Sequence, residues 1–92
     1  MEPPELLAAL IDLAEAVGIE IRRAPPGAGS GGGPAGALVR LKGKEILFLD
    51  PIAAVADQIS VVAGALAGRA ELEDRFLPPK IRQCLDEAAE EQ

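Results

Sequence analysis

The sequence predicts a small α+β domain in which a three-stranded sheet packs on helices. The chain has 92 residues, which is enough for one domain with a single core. Segments at both ends and in the middle show the apolar spacing of helices, and two short alternating segments are joined by Lys42-Gly43. We therefore expect the order helix, strand, loop, β-hairpin, helix, helix within one domain, 1–92.

The spacing of apolar residues changes near Gly18, and this change predicts a helix followed by a strand. Pro3 and Pro4 suit a first helical turn, and Gly18 is placed to end the helix. Apolar side chains recur between them at three- and four-residue spacing, at Leu6, Leu7, Leu10, Ile11, Ala14 and Val17. Residues 19–23 then alternate between apolar and charged side chains, which predicts a short strand that is exposed on one face or lies at an edge.

The hairpin follows residues 24–36, which are mostly Gly, Pro, Ala and Ser and predict a flexible loop. A two-residue Lys42-Gly43 turn pairs Arg40 with Glu45 and Val39 with Ile46. One face of the hairpin then collects Val39, Leu41, Ile46 and Phe48. The second face carries Leu38, Leu47 and Leu49 together with the Arg40–Glu45 pair, so we expect something to cover it.

Two helices complete the predicted fold. Asp50-Pro51 predicts the start of a central helix, and Gly68 is placed to end it. Its predicted core face consists of Ile52, Val55, Ala56, Ile59, Val62, Ala63 and Leu66. A last helix follows Pro78-Pro79, with a frayed end at about 87–92. The order of the strands and the direction of the first one are left open.

Composition argues against several classes of function. The net charge is −6, which opposes nucleic-acid binding. The sequence has no histidine, the commonest general base and metal ligand, and a single cysteine, Cys84, which has no disulfide partner within the chain. We therefore expect a protein that is not an enzyme and that has no metal or cofactor.

Membrane and secretory signals are not evident in the sequence. The start is acidic and lacks a basic n-region. Asp57, Gln58 and Ser60 interrupt the longest apolar run, which is too short to span a bilayer. We expect a cytoplasmic protein that does not enter a membrane.

The loop contains Gly27, Gly29 and Gly32 at the spacing of a dinucleotide-binding fingerprint. That fingerprint needs a helix after the glycines, whereas here a strand is predicted to follow. A linker is therefore the favoured interpretation. A weak phosphate or nucleotide site that uses this loop with Arg22, Arg23 and Arg40 is the alternative.

An interaction surface is the favoured functional hypothesis. On the central helix, one stripe is either solvent-facing, which is favoured, or open to a partner, and it consists of Asp57, Ser60, Gly64 and Gly68. The second sheet face adds Leu38, Leu47 and Leu49 to this candidate surface. We expect a non-enzymatic interaction domain that self-associates or binds another protein.

The segment GKEILFLD, followed by a capped aliphatic helix, resembles the HExxH zinc metallopeptidases (zincins) over about residues 17–68. In this chain the metal motif would fall near Ala63, Gly64 and Ala67, none of which binds metal. The resemblance implies a degenerate scaffold that binds peptide at a sheet edge. RLKGKEILFLD and LEDRFLPPKIR also resemble segments of short bacterial proteins to which no function is attached.

Overall fold

The computed structural model describes residues 2–23, 36–72 and 75–90 and confirms the α+β fold class. The predicted loop thus lies outside the described residues, except that Gly36 begins a strand. The elements in chain order are α1 (Pro3–Ala16), β1 (Ile19–Arg23), β2 (Gly36–Leu41), β3 (Lys44–Leu49), α2 (Val55–Leu66), a 3₁₀ turn (Ala70–Leu72) and α3 (Pro79–Glu90).

The sheet is mixed, and its centre is the last strand in the chain. The strand order is β1-β3-β2, with β3 parallel to β1 and antiparallel to β2. The hairpin register is as predicted, with Arg40 opposite Glu45 and Val39 opposite Ile46. Lys42 and Gly43 both have positive φ angles, 52° and 79°, as a two-residue type I′ turn requires.

Two helices pack on the sheet, and the third packs on those two helices. α1 contacts β1, α2 contacts β2 and β3, and α3 contacts α1 and α2. Among the described elements, α3 contacts no strand. One apolar cluster joins the helices to the sheet, and its buried members are Leu10, Ala14, Ile19, Leu47, Leu49, Val62, Ala63, Leu66, Leu72, Leu77, Ile81 and Leu85.

The predicted start of α2 at Asp50-Pro51 is wrong. Asp50 instead closes a turn, because its Oδ1 atom accepts the Ile52 N–H at 2.9 Å and its carbonyl accepts the Ala53 N–H at 3.1 Å. The helix begins only at Val55, and Gln58 Nε2 donates to the Ala53 carbonyl at 2.8 Å, which holds the turn against the helix. Ile52, predicted as a core residue, is consequently 73% exposed.

Candidate interaction surface

The helices cover the second face of the hairpin. Leu47 and Leu49 are 0% and 4% exposed and belong to the core cluster, while Leu38 is 38% exposed on the edge strand. Beside them, Ile19 is paired with Glu45 and Ile21 with Leu47, so β1 extends the same apolar row. The expected cover for this face is therefore the chain's own helix layer, and two of the three predicted surface leucines lie in the core.

The other face of the sheet has no described element packed against it. We call this surface the open face, and it consists of Val39, Leu41, Ile46 and Phe48. Val39 and Leu41 are 39% and 58% exposed. Ile46 is buried between its neighbours but is not a member of the core cluster. An apolar surface formed by β2 and β3 is thus left without a partner among the described residues.

The first strand holds the signal that distinguishes the two faces. Glu20 is the neighbour of Ile46, and Arg22 is the neighbour of Phe48, so both charged side chains lie on the open face. Ile19 and Ile21 point the other way, into the apolar cluster, and β1 contacts α1 there. Once the parallel pairing of β1 with β3 is known, the isoleucines mark the helix-covered face. The sequence alone left that pairing open.

Charged side chains border the open face on the β1 side. Lys44 Nζ lies 2.9 Å from Glu20 Oε1, and Arg22 Nε donates to the other oxygen of the same carboxylate. Hydrogen bonds from Lys44 and then Arg22 lower the pKa of Glu20 below its ordinary value. Glu20 is therefore held in its ionised form. The open face is apolar along β2 and over Ile46 and Phe48 of β3, and it is charged along β1 and at Lys44, the first residue of β3.

The second acid of the sheet lies on the covered side and is also paired. Arg69 Nη1 donates to Glu45 Oε1 at 2.8 Å, and Arg69 Nη2 contacts the other carboxylate oxygen. Arg40 Nε approaches the same carboxylate at 3.5 Å across the hairpin. The hydrogen bonds from Arg69 are the main reason why the pKa of Glu45 is lowered.

Pairing leaves the basic groups of the sheet more exposed than its acids. The side chains of Arg22, Arg40 and Lys44 are 57%, 77% and 61% exposed, against 29% for Glu20 and 21% for Glu45. Residues 19–49 carry five bases and two acids, a net charge of +3, in a chain whose total is −6. The rest of the chain therefore carries −9. Of the charges in residues 19–49, the open face carries Glu20, Arg22 and Lys44, a net charge of +1.

The predicted stripe on α2 lies away from the open face. Asp57 and Ser60 are exposed and Gly64 is partly buried. The Ser60 hydroxyl donates to the Ala56 carbonyl at 3.2 Å within the helix. Because α2 packs on the covered side of the sheet, the structure does not unite this stripe with the open face.

Other candidate chemistry finds little support in the part of the chain that the structure describes. No group of three or more His, Cys, Asp or Glu side chains there is arranged to hold a metal ion, and no helix there is long and apolar enough to cross a membrane. Gly27, Gly29 and Gly32 lie outside the described residues. Cys84 is partly buried, and burial, followed by the nearby Glu87, raises the pKa of its thiol.

A shallow cleft lies between the end of α2 and α3. Its volume is about 260 Å³, and its lining includes Leu72, Leu77 and Leu85 with Arg69 and Arg82 at the rim. The Arg69 guanidinium is already bound to Glu45 and to the Ala65 carbonyl. Arg69 is therefore not available to bind a ligand in the cleft, and the open face is the stronger candidate for a functional surface.

Comparison with known proteins adds no relative. The chain matches no protein-family model, no curated protein and no solved structure. The zincin-like scaffold stays a prediction. Ala63, one of the three positions where that motif would fall, is 1% exposed in the core. The exposed apolar side chains of the open face are therefore the main structural indication of a function.

Proposed function

We propose that this protein is a non-enzymatic interaction domain that self-associates through the open face of its sheet. The observation that carries the proposal is the exposure of Val39 and Leu41, at 39% and 58%, beside Ile46 and Phe48. Antiparallel strands with one face in water normally alternate apolar and polar side chains. Here the outward positions of β2 and β3 include apolar residues, and an apolar patch without cover is typical of an interface.

The small size of the domain supports the same proposal. A chain of this length has a thin core, and its aromatic residues are limited to Phe48 and Phe76. Burial of apolar surface contributes roughly 25 cal/mol per Å². Covering the open face with a second copy would therefore stabilise the native state, and this stabilisation would increase with the logarithm of protein concentration.

The proposal is tested by sedimentation velocity over the micromolar range with matched variants. Leu41→Gln removes an apolar side chain from the open face, whereas Ile52→Gln removes a more exposed one that lies elsewhere. We expect the wild type and Ile52→Gln to associate as concentration rises, and Leu41→Gln to stay monomeric. A wild type that remains monomeric throughout this range would refute self-association. If both variants associate equally, the interface does not lie at the open face.

Peptide binding by strand addition is a second candidate, and the position of β2 favours it. β2 lies at the edge of the sheet and carries one charged residue, Arg40. The opposite edge, β1, carries Glu20, Arg22 and Arg23, and charge on an edge strand discourages pairing. Hydrogen exchange separates the candidates, because strand addition protects the outward amides of β2, whereas face-to-face packing does not.

A further inference from the structure

The exposed apolar side chains of the domain are concentrated on one edge strand. Among the described residues, the bulky apolar side chains that stay exposed are Leu38, Val39 and Leu41 of β2, with Ile52 and Phe76 elsewhere. Leu38 lies on the helix-covered face of the sheet, whereas Val39 and Leu41 lie on the open face. A layer packed on the open face would leave Leu38 exposed. A further strand beside β2 would flank exposed side chains on both faces at once.

The outer edge of β2 also lacks the features that prevent strand pairing. Its register with β3 is continuous over Gly36–Leu41, so no bulge interrupts it, and it contains no proline. Natural proteins protect free edges with charges, prolines or bulges, and β2 carries one charge, at Arg40. The opposite edge, β1, carries three charges in five residues. Of the two edges of the described sheet, β2 is therefore the one suited to accept another strand.

The backbone groups on this edge alternate in direction. The two-residue turn is closed by the hydrogen-bonded pair of Leu41 and Lys44, and such pairs recur at every second residue of an antiparallel ladder. Consequently, Gly36, Leu38 and Arg40 direct their N–H and C=O groups away from β3. An antiparallel strand on that side can form hydrogen bonds with all three.

A second copy of β2 fits this edge in one register. With Leu38 opposite Leu38 of the second copy, Gly36 lies opposite Arg40, and all three outward positions are paired. The two Arg40 residues are then about 13 Å apart along the strands, beyond the Debye length of about 8 Å at physiological salt. A register centred on Arg40 would instead place two arginines directly opposite each other, which is unfavourable.

We infer that two copies of this chain join β2 to β2, edge to edge, in one sheet with three strands from each copy. The occupant is a second copy because its β2 is already extended and held by β3, so pairing avoids the ordering cost that a free peptide would bear. The two-fold axis is perpendicular to the sheet, so the two open faces lie side by side. The inference goes beyond the proposed function, since it uses the strand edge and widens the open face rather than covering it.

Charge substitutions at the two-fold axis test this pairing. Leu38→Lys or Leu38→Glu alone places like charges directly opposite each other, whereas an equimolar mixture places opposite charges there. Leu38 is 38% exposed on an edge strand, so both variants should keep the native fold, which circular dichroism checks. Hydrogen exchange followed by NMR reports the outward N–H groups of Gly36 and Arg40, which the pairing protects.

We expect the Gly36 and Arg40 amides of the wild type to exchange at least about tenfold more slowly at high than at low micromolar concentration. Each Leu38 variant alone should lose this protection, and the equimolar mixture should regain it. The matched controls are Ile52→Lys and Ile52→Glu, at an exposed position elsewhere, and both should keep the protection of the wild type.

Three results would overturn the edge pairing. The first is exchange in the wild type that does not depend on concentration, which leaves the edge to the peptide of the second candidate. The second is full protection in either Leu38 variant alone, and the third is no recovery in the mixture. None of these results affects the proposed function, because sedimentation of Leu41→Gln tests the open face separately. If Leu41→Gln associates like the wild type while the outward amides are protected, the open face fails and the edge pairing stands.

Discussion

Arg69 ties the end of α2 to the first residues of β3 by binding Glu45 with two nitrogens of its guanidinium group. The remaining nitrogen, Nε, donates to the Ala65 carbonyl at 2.7 Å, so Arg69, which follows α2, also binds the last turn of that helix. Both side chains are largely shielded, at 15% and 21% exposure. The pair fixes α2 on the covered side of the sheet and so determines which face remains open.

Replacement of Arg69 should destabilise the domain. Arg69→Met keeps much of the aliphatic stem but leaves the shielded Glu45 with Arg40, which is 77% exposed and lies 3.5 Å away. We expect a loss of about 1–3 kcal/mol in the free energy of unfolding, as for other partly buried groups that lose a partner. Denaturant unfolding measures this loss. The control is Arg75→Met at an exposed position, and an equal loss in the control would contradict the structural role of the pair.

The same pair should make stability depend on acid. The pKa of Glu45 is lowered from an ordinary value of 4.5 because Arg69 stabilises the ionised form. A carboxylate whose folded pKa is lowered stabilises the native state above its unfolded pKa, and this contribution disappears as the pH falls through the folded pKa. We expect the difference in unfolding free energy between wild type and Glu45→Gln to be largest above pH 4.5. This difference should shrink as the pH falls below that value. A difference that grows on acidification would contradict this account.

Local patterns in the sequence were sufficient for the hairpin but not for its surroundings. The Lys42-Gly43 turn fixes the pairing of Val39 with Ile46, because a two-residue turn allows one register. Asp50-Pro51 carries the pattern of a helix start, yet the Asp50 carboxylate closes a separate turn first. Local pattern does not decide between these two uses of the same residue.

The position of the open face depends on contacts between residues far apart in the chain. Both faces of the hairpin contain apolar residues, so the alternation within β2 and β3 does not say which face the helices cover. The parallel pairing of Ile21 with Leu47 and the bond from Arg69 to Glu45 decide it, and both join separate elements. The exposure of Phe76, between the buried Leu72 and Leu77, is likewise a property of packing rather than of sequence pattern.

The most direct test of the account is to observe the open face as protein molecules meet. Amide and methyl resonances in NMR spectra, recorded from low to high micromolar protein concentration, report which residues enter the contact. We expect concentration-dependent shifts at Val39, Leu41 and Phe48. The resonances of Asp57 and Ser60, on the α2 stripe, should stay unchanged. Shifts confined to the α2 stripe, or spectra that do not change with concentration, would contradict the claim that copies of this chain meet at the open face.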